Sequence, residues 1–400
     1  VLVMSDSVLI VAFILSLAFF LIISKKNIAI AMFLAAFILG IFTLTPITLY
    51  NDLVKSFQNP KTLSLAIATS LIPIIGGLMN DTGLMDEMIE NLKMSRRHFL
   101  GISPALVGML PMPGGALLSA PLVDKIGGNG VSKEIKATAN VWFRHVFILI
   151  YPMSSALIIS TDVAGVNMYS AISYLLIFML ISILLGYVFY LRFVPLEKGN
   201  DAGASMKKFL KPFIILMIAP IVDFLIKYFA PMSLRIYSTL LAVISSFTLL
   251  LIIAKPKIRE IKESSIKMRA WDFFFLIIFI NFYLYVFLDS GLKDVIREVP
   301  LHPIIFYVTI PFILGFLTGR VMTPASILYP IYIAKIGLMT PQLFAITYVA
   351  IFMGYIISPV HPCLVLTAKY FNMDVKKITI KSTPPALIIT LLTAIIILFM

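Results

Sequence analysis

Charge is scarce in this chain. Asp, Glu, Lys and Arg make up 13% of 400 residues, about half the share of a soluble domain. That excludes the ordinary cytosolic enzymes, nucleic-acid binders and disordered proteins, which need charged surfaces. Cysteine is scarcer still. The single Cys363 rules out a disulfide framework or a cysteine-built metal cluster within one chain, and reads as a small apolar core residue. The four histidines, His98, His145, His302 and His361, are scattered, with no His-Glu-x-x-His run and no paired intramembrane aspartates. An intramembrane enzyme would need such a constellation.

What is abundant is apolar. Hydrophobic residues make up 60% and the mean hydropathy is +1.03, enough for about ten spans of ~20 residues. The chain reads as an all-α polytopic membrane protein. Ten segments are expected to cross: 8–24, 27–44, 63–79, 136–159, 168–194, 209–229, 233–254, 271–289, 342–367 and 382–399. The first begins behind Asp6 with no basic run, so it is expected to be a retained helix rather than a cleaved signal.

Two further apolar stretches, 99–122 and 303–334, are interrupted by turn formers. The first holds Pro111-Met112-Pro113-Gly114-Gly115 and the second Thr318-Gly319-Arg320 through Thr323-Pro324. Backbone freed at such breaks cannot face lipid. Each stretch is therefore expected to be a re-entrant hairpin that leaves by the face it entered.

Loop charge tests that arrangement. With both hairpins re-entrant, 23 of the 32 Lys and Arg fall on the face of Lys25 and Lys26, 7 on the other, and Arg144 and Arg320 inside. The basic face is then cytoplasmic, and both termini are extracytoplasmic. The net charge of +13 is accounted for without nucleic acid.

The halves also match one another. Asp81-Thr82-Gly83-Leu84-Met85-Asp86 aligns with Asp289-Ser290-Gly291-Leu292-Lys293-Asp294 at an offset of 208, Gly108 with Gly315 and Pro152 with Pro359 at 207, and Lys125 with Lys335 at 210. We expect two five-helix repeats, 1–195 and 209–400, joined by a cytoplasmic linker at 196–208. Five crossings is an odd number, so the second repeat must be inverted. Inverted repeats place a transporter's site at the midplane, between broken helices.

Each hairpin precedes a helix with its own interruption, Tyr151-Pro152-Met153-Ser154-Ser155 in 136–159 and Ser358-Pro359-Val360-His361-Pro362 in 342–367. Proline frees carbonyls there; half-helix N-termini offer amides to an anion. Arg320, Gly114, Gly115, Thr323, Ser154 and His361 are the candidate substrate-binding residues. Pro111, Ser155, Thr318, Ser326 and Ser358 are candidates for a coupling ion, Na⁺ or H⁺. Arg320 leads, because a charge inside the bilayer is costly and its fork suits a carboxylate; the alternative is a clamp on helix carbonyls, or a hairpin tip nearer water. Arg144 and His145 lie nearer the cytoplasmic end of their span. Asp223 is either a proton carrier or a local partner of Lys227. Asn140 and Asn281 are possible polar linings. No metal other than Na⁺ and no cofactor is expected.

Hairpins and broken helices in this order resemble the ion transporter superfamily, which includes divalent anion–sodium symporters and citrate and gluconate carriers. The run from Gly108 to Pro121, Gly-Met-Leu-Pro-Met-Pro-Gly-Gly-Ala-Leu-Leu-Ser-Ala-Pro, is similar to the family called domain of unknown function 401. The symporters carry Ser-Asn-Thr at both hairpin tips and this chain does not, so their site residues do not transfer. The resemblance implies a homodimeric, elevator-like carrier in the cell membrane. The resulting expectation is a secondary transporter of a small organic anion, a carboxylate first. An inorganic-oxyanion carrier or a cation/proton antiporter is the alternative, ahead of a channel or an intramembrane enzyme.

Overall fold

The computed structural model describes residues 5–110, 115–197 and 205–400. Among these residues the structure is helical, without strands. Among them, seven helical segments are long and apolar enough to cross a membrane: Asp6–Ile23, Pro60–Asp81, Met168–Phe193, Met206–Phe229, Ala270–Asp289, Val375–Leu398 and Pro341–Phe371, the last interrupted after Ile357. Ten were expected, and the difference is one of length. Ile28–Thr43 and Ser238–Ala254 are apolar but have 16 and 17 residues, about 24–26 Å of helix, short of a ~30 Å hydrocarbon core. The segment expected at 136–159 divides into Lys133–Val146 and Ser155–Val163. Ile14, Ile22, Leu184 and Leu391 are each more than half exposed on these helices. Apolar exposure on that scale marks a surface that meets lipid.

Local chemistry sets many of the helix ends. Asn27, Thr45, Asn59 and Thr340 accept amide hydrogens from Ile30, Thr48, Thr62 and Leu343, caps worth about 1 kcal/mol each. Pro46, Pro60 and Pro341 occupy first turns, where no amide hydrogen is required. Two amphipathic helices, Pro46–Gln58 and Ile258–Lys267, were not anticipated. Both are short and polar, so neither leaves an apolar run. In the two Asp-x-Gly-Leu-x-Asp segments, Gly83 and Gly291 sit at φ 74° and 84° and open short helices.

The helices form two groups. In the first, Asp6–Ile23, Ile28–Thr43 and Pro60–Asp81 pack with Met206–Phe229, Ser238–Ala254 and Ala270–Asp289. Ile28–Thr43 buries Ala31, Ala35 and Ala36, small residues that let backbones approach, and Ser16 Oγ donates to Ala35 O at 2.8 Å. The second group holds the hairpins and the interrupted helices. Arg96–Gly108 packs on Lys133–Val146, and Ile310–Thr318 on Pro341–Ile357. The second hairpin arms cross over: Ala116–Gly127 meets Pro362–Phe371, and Met322–Ile336 meets Ser155–Val163.

Gly108 and Gly315 show why these arms need glycine. A Cβ on Gly108 would overlap Arg144 O, and a Cβ on Gly315 would overlap Ile351 O. Each helix pair closes by backbone contact, which only glycine permits.

Every ion pair among the described residues joins groups that loop counting allots to one face. Lys267 pairs with Asp81 at 2.7 Å, Lys136 with Asp124 at 2.8 Å, and Arg96 with Glu197 at 2.8 Å on the basic face. Lys61 pairs with Asp162 at 2.6 Å on the other.

Candidate functional site

The break after Lys133–Val146 starts at residue 147 and lasts to Ser154, the N-cap of Ser155–Val163. The other interruption is shorter, with Pro341–Ile357 ending before Ser358 and Pro362–Phe371 starting after His361. Between them lies a cavity of about 240 Å³, lined by Gly108, Met109, Leu110, Arg144, His145, Ile148, Ser154, Ser155, Ala156, Phe273, Met322, Tyr355 and Cys363.

Arg144 is 3% exposed. Its guanidinium donates to Gly115 O at 3.0 Å, which ties the helix to the second arm of the first hairpin. Its Nε is buried without a partner, and no ion pair reaches it among the described residues. His145, the next residue, donates from Nδ1 to Val141 O at 2.6 Å, since a carbonyl only accepts. In the neutral ring Nε2 then accepts, and Tyr355 donates its hydroxyl there at 3.0 Å. The rings of Tyr355 and His361 are 4.1 Å apart, centre to centre, and those of His145 and His361 are 4.7 Å apart. His361 is fully buried and its Nε2 has no partner among the described residues.

The structure brings together Ser154, Ser155, His361 and the Gly115 carbonyl of the expected set. Ser155 Oγ is buried without a partner. Gly114 and Pro111 lie outside the described residues. Arg320 is elsewhere. The second hairpin's tip extends to the far end of the first helix, where Arg320 donates to Ser24 O at 3.0 Å. A cation there complements a helix C-terminus. This is the carbonyl clamp, and Arg320 does not line the cavity.

Of the expected ion ligands, Thr318 bonds back to Leu314 O and Ser326 to Met322 O. Ser358 donates to Phe316 O, fastening the second break to the adjacent hairpin arm. Thr323 Oγ1 is buried and unpartnered. Asn140 donates to Thr367 and Asn281 to Ile277 O, both away from the cavity. Asp223 accepts from Lys227, Tyr169 and Thr239 at 2.8, 2.7 and 3.0 Å. It is the local ion pair, fully satisfied.

Sequence reading left Arg144 and His145 out of the site and missed Tyr355 and Cys363. The offset between the matching sequence motifs held the signal. At 207 positions, Ile148 corresponds to Tyr355, Ser154 to His361 and Ala156 to Cys363. All but His361 line the cavity, so positions paired at this offset carry unlike chemistry.

A family model described as "Protein of unknown function (DUF401)" matches residues 5–400. The chain belongs to DUF401. The resemblance carried by the first hairpin thus extends to both interrupted helices, and every residue lining the cavity falls within the family's span. No curated protein matches the sequence.

Proposed function

We propose that this DUF401 chain is a multi-pass cell-membrane carrier of a small organic anion, a carboxylate, coupled to Na⁺ or H⁺. Arg144 carries the reading. A buried charge without a counter-charge is expensive, and a bound anion would supply what is missing. The cavity is smaller than the 300–1,000 Å³ of drug-sized sites, which suits a small anion. Ser154, Ser155 and Ala156 begin the helix Ser155–Val163 at the cavity wall, and helix N-termini favour anions. Arg144 takes the role first given to Arg320; Ser154, Ser155 and His361 remain substrate or ion contacts.

Two inverted repeats, 1–195 and 209–400, underlie this reading. The same order of elements occurs twice, and the glycine-on-carbonyl contacts recur at one offset. Same-face ion pairing supports both re-entrant hairpins and extracytoplasmic termini. The group holding the hairpins would move against the other group, elevator fashion, in a homodimer. This plan is the ground for relating the chain to the ion transporter superfamily.

The test is the melting temperature of the purified protein against carboxylates and inorganic oxyanions, in Na⁺ or choline and at two pH values. A ligand at 100 times its dissociation constant adds about 2.7 kcal/mol. The expected result is stabilisation by a carboxylate that depends on Na⁺ or pH and is lost in Arg144→Gln. No response to any anion, or an undiminished response in Arg144→Gln, overturns the reading.

A further inference from the structure

We propose that His145, His361 and Cys363 form a binding site for one soft transition-metal ion, Cu⁺ by its ligand set. Their ligand atoms all lie within 4.8 Å of one another. Three ligands about 2.0–2.3 Å from one ion stand roughly 3.5–4 Å apart, so closing the site takes about an ångström of side-chain rotation. Both imidazoles are prepared for it. A metal-binding histidine ordinarily donates its other ring N–H to a carbonyl or carboxylate, as His145 Nδ1 does to Val141 O. That leaves Nε2 to exchange the Tyr355 hydroxyl for an ion. His361 Nε2 is buried with no partner among the described residues, which is costly for a polar atom unless something binds there.

Cys363 completes the set. It stands in the first turn of the ten-residue helix Pro362–Phe371, two residues after His361. Two thioethers, Met109 and Met322, line the same cavity, and thiolate with thioether selects Cu⁺. Charge points the same way. Arg144 borders the site. Cu⁺ replacing the thiol proton leaves the net charge unchanged, the proton passing to solvent, whereas Zn²⁺ would add a positive charge beside a buried guanidinium. Bound there, the ion ties Lys133–Val146 to Pro362–Phe371 and so joins the two halves of the chain. The inference shares this cavity with the anion reading but rests on the ligand atoms of His145, His361 and Cys363, and Cu⁺ binding is read without any anion present.

The experiment uses the purified full chain under reducing, anaerobic conditions. Cu⁺ is titrated in competition with a chromophoric chelator, and the one thiol of the chain is labelled with a maleimide. One Cu⁺ per chain is expected, with Cys363 protected from labelling. Cys363→Ser and His361→Ala should each weaken binding by about 100-fold or more, since loss of an outer-shell partner alone costs 10–100-fold. In His361→Ala the thiol should label at the wild-type rate in the absence of Cu⁺ and lose protection in its presence, which separates a lost ligand from a lost fold. Equal Cu⁺ binding by wild type and both variants, or labelling of wild type that Cu⁺ leaves unchanged, overturns the proposal.

Discussion

Tyr355 Oη lies 3.0 Å from His145 Nε2, and the two residues are 210 positions apart. This bond closes the two halves of the chain over the cavity. Tyr355→Phe removes the donor and leaves a buried ring nitrogen unsatisfied. The expected loss is about 1–3 kcal/mol, read as a lower melting temperature. Adding His145→Ala to Tyr355→Phe should cost less than His145→Ala does in wild type, a coupling that a double-mutant cycle measures.

Arg144 and Arg320 should separate cleanly. Arg144→Gln is expected to abolish the response to anion. Arg320→Gln should keep that response and lower the melting temperature, because Ser24 O loses its charged donor and such bonds are worth about 1.5–3 kcal/mol. Anion titration of both variants by thermal melting decides it.

Gly108→Ala and Gly315→Ala each place a methyl against a backbone carbonyl that cannot rotate away. Overpacking of this kind costs about 1–3 kcal/mol or more. Gly130→Ala, whose Cβ would meet only the end of Arg96 at 3.5 Å, is the control and should melt like wild type. Yield and melting temperature of the three variants provide the comparison.

Asp52, on the amphipathic helix outside the spans, is 4% exposed. Burial, then the neighbouring Asp289, raise its pKa to about 6, against the opposing pull of Lys55. The folded state therefore holds this proton more tightly than the unfolded chain, whose value is near 3.8. The resulting stabilisation is full below pH 3.8 and is lost as pH rises through about 6. Asp52→Asn, which cannot ionise, should melt above wild type at pH 8 and keep only part of that advantage at pH 5. Melting curves at the two pH values check the sign.

Much of the architecture is legible in the residues. Long apolar runs announce helices for lipid, and Pro111 to Gly115 and Ser358 to Pro362 announce backbone that must be buried. The amphipathic helices Pro46–Gln58 and Ile258–Lys267 are not legible this way, because hydropathy averages erase a short polar segment. The offset of 207 was readable from glycine and proline alone. It pointed at Ser154 and His361 but did not show what surrounds them.

Which charge lines the cavity is a different kind of question. Arg144 and Arg320 are equally anomalous as letters in an apolar context, and sequence reasoning favoured the one at the hairpin tip. The decision depends on partners far along the chain. Arg320 finds a helix-end carbonyl 296 positions away, while Arg144 faces a cavity whose opposite wall comes from Tyr355 and Cys363. Periodicity, proline and loop charge act locally, so the sequence by itself determined a membrane protein with paired hairpins and interrupted helices. Only the packing of one half against the other decided which polar atoms are satisfied and which are left without a partner among the described residues.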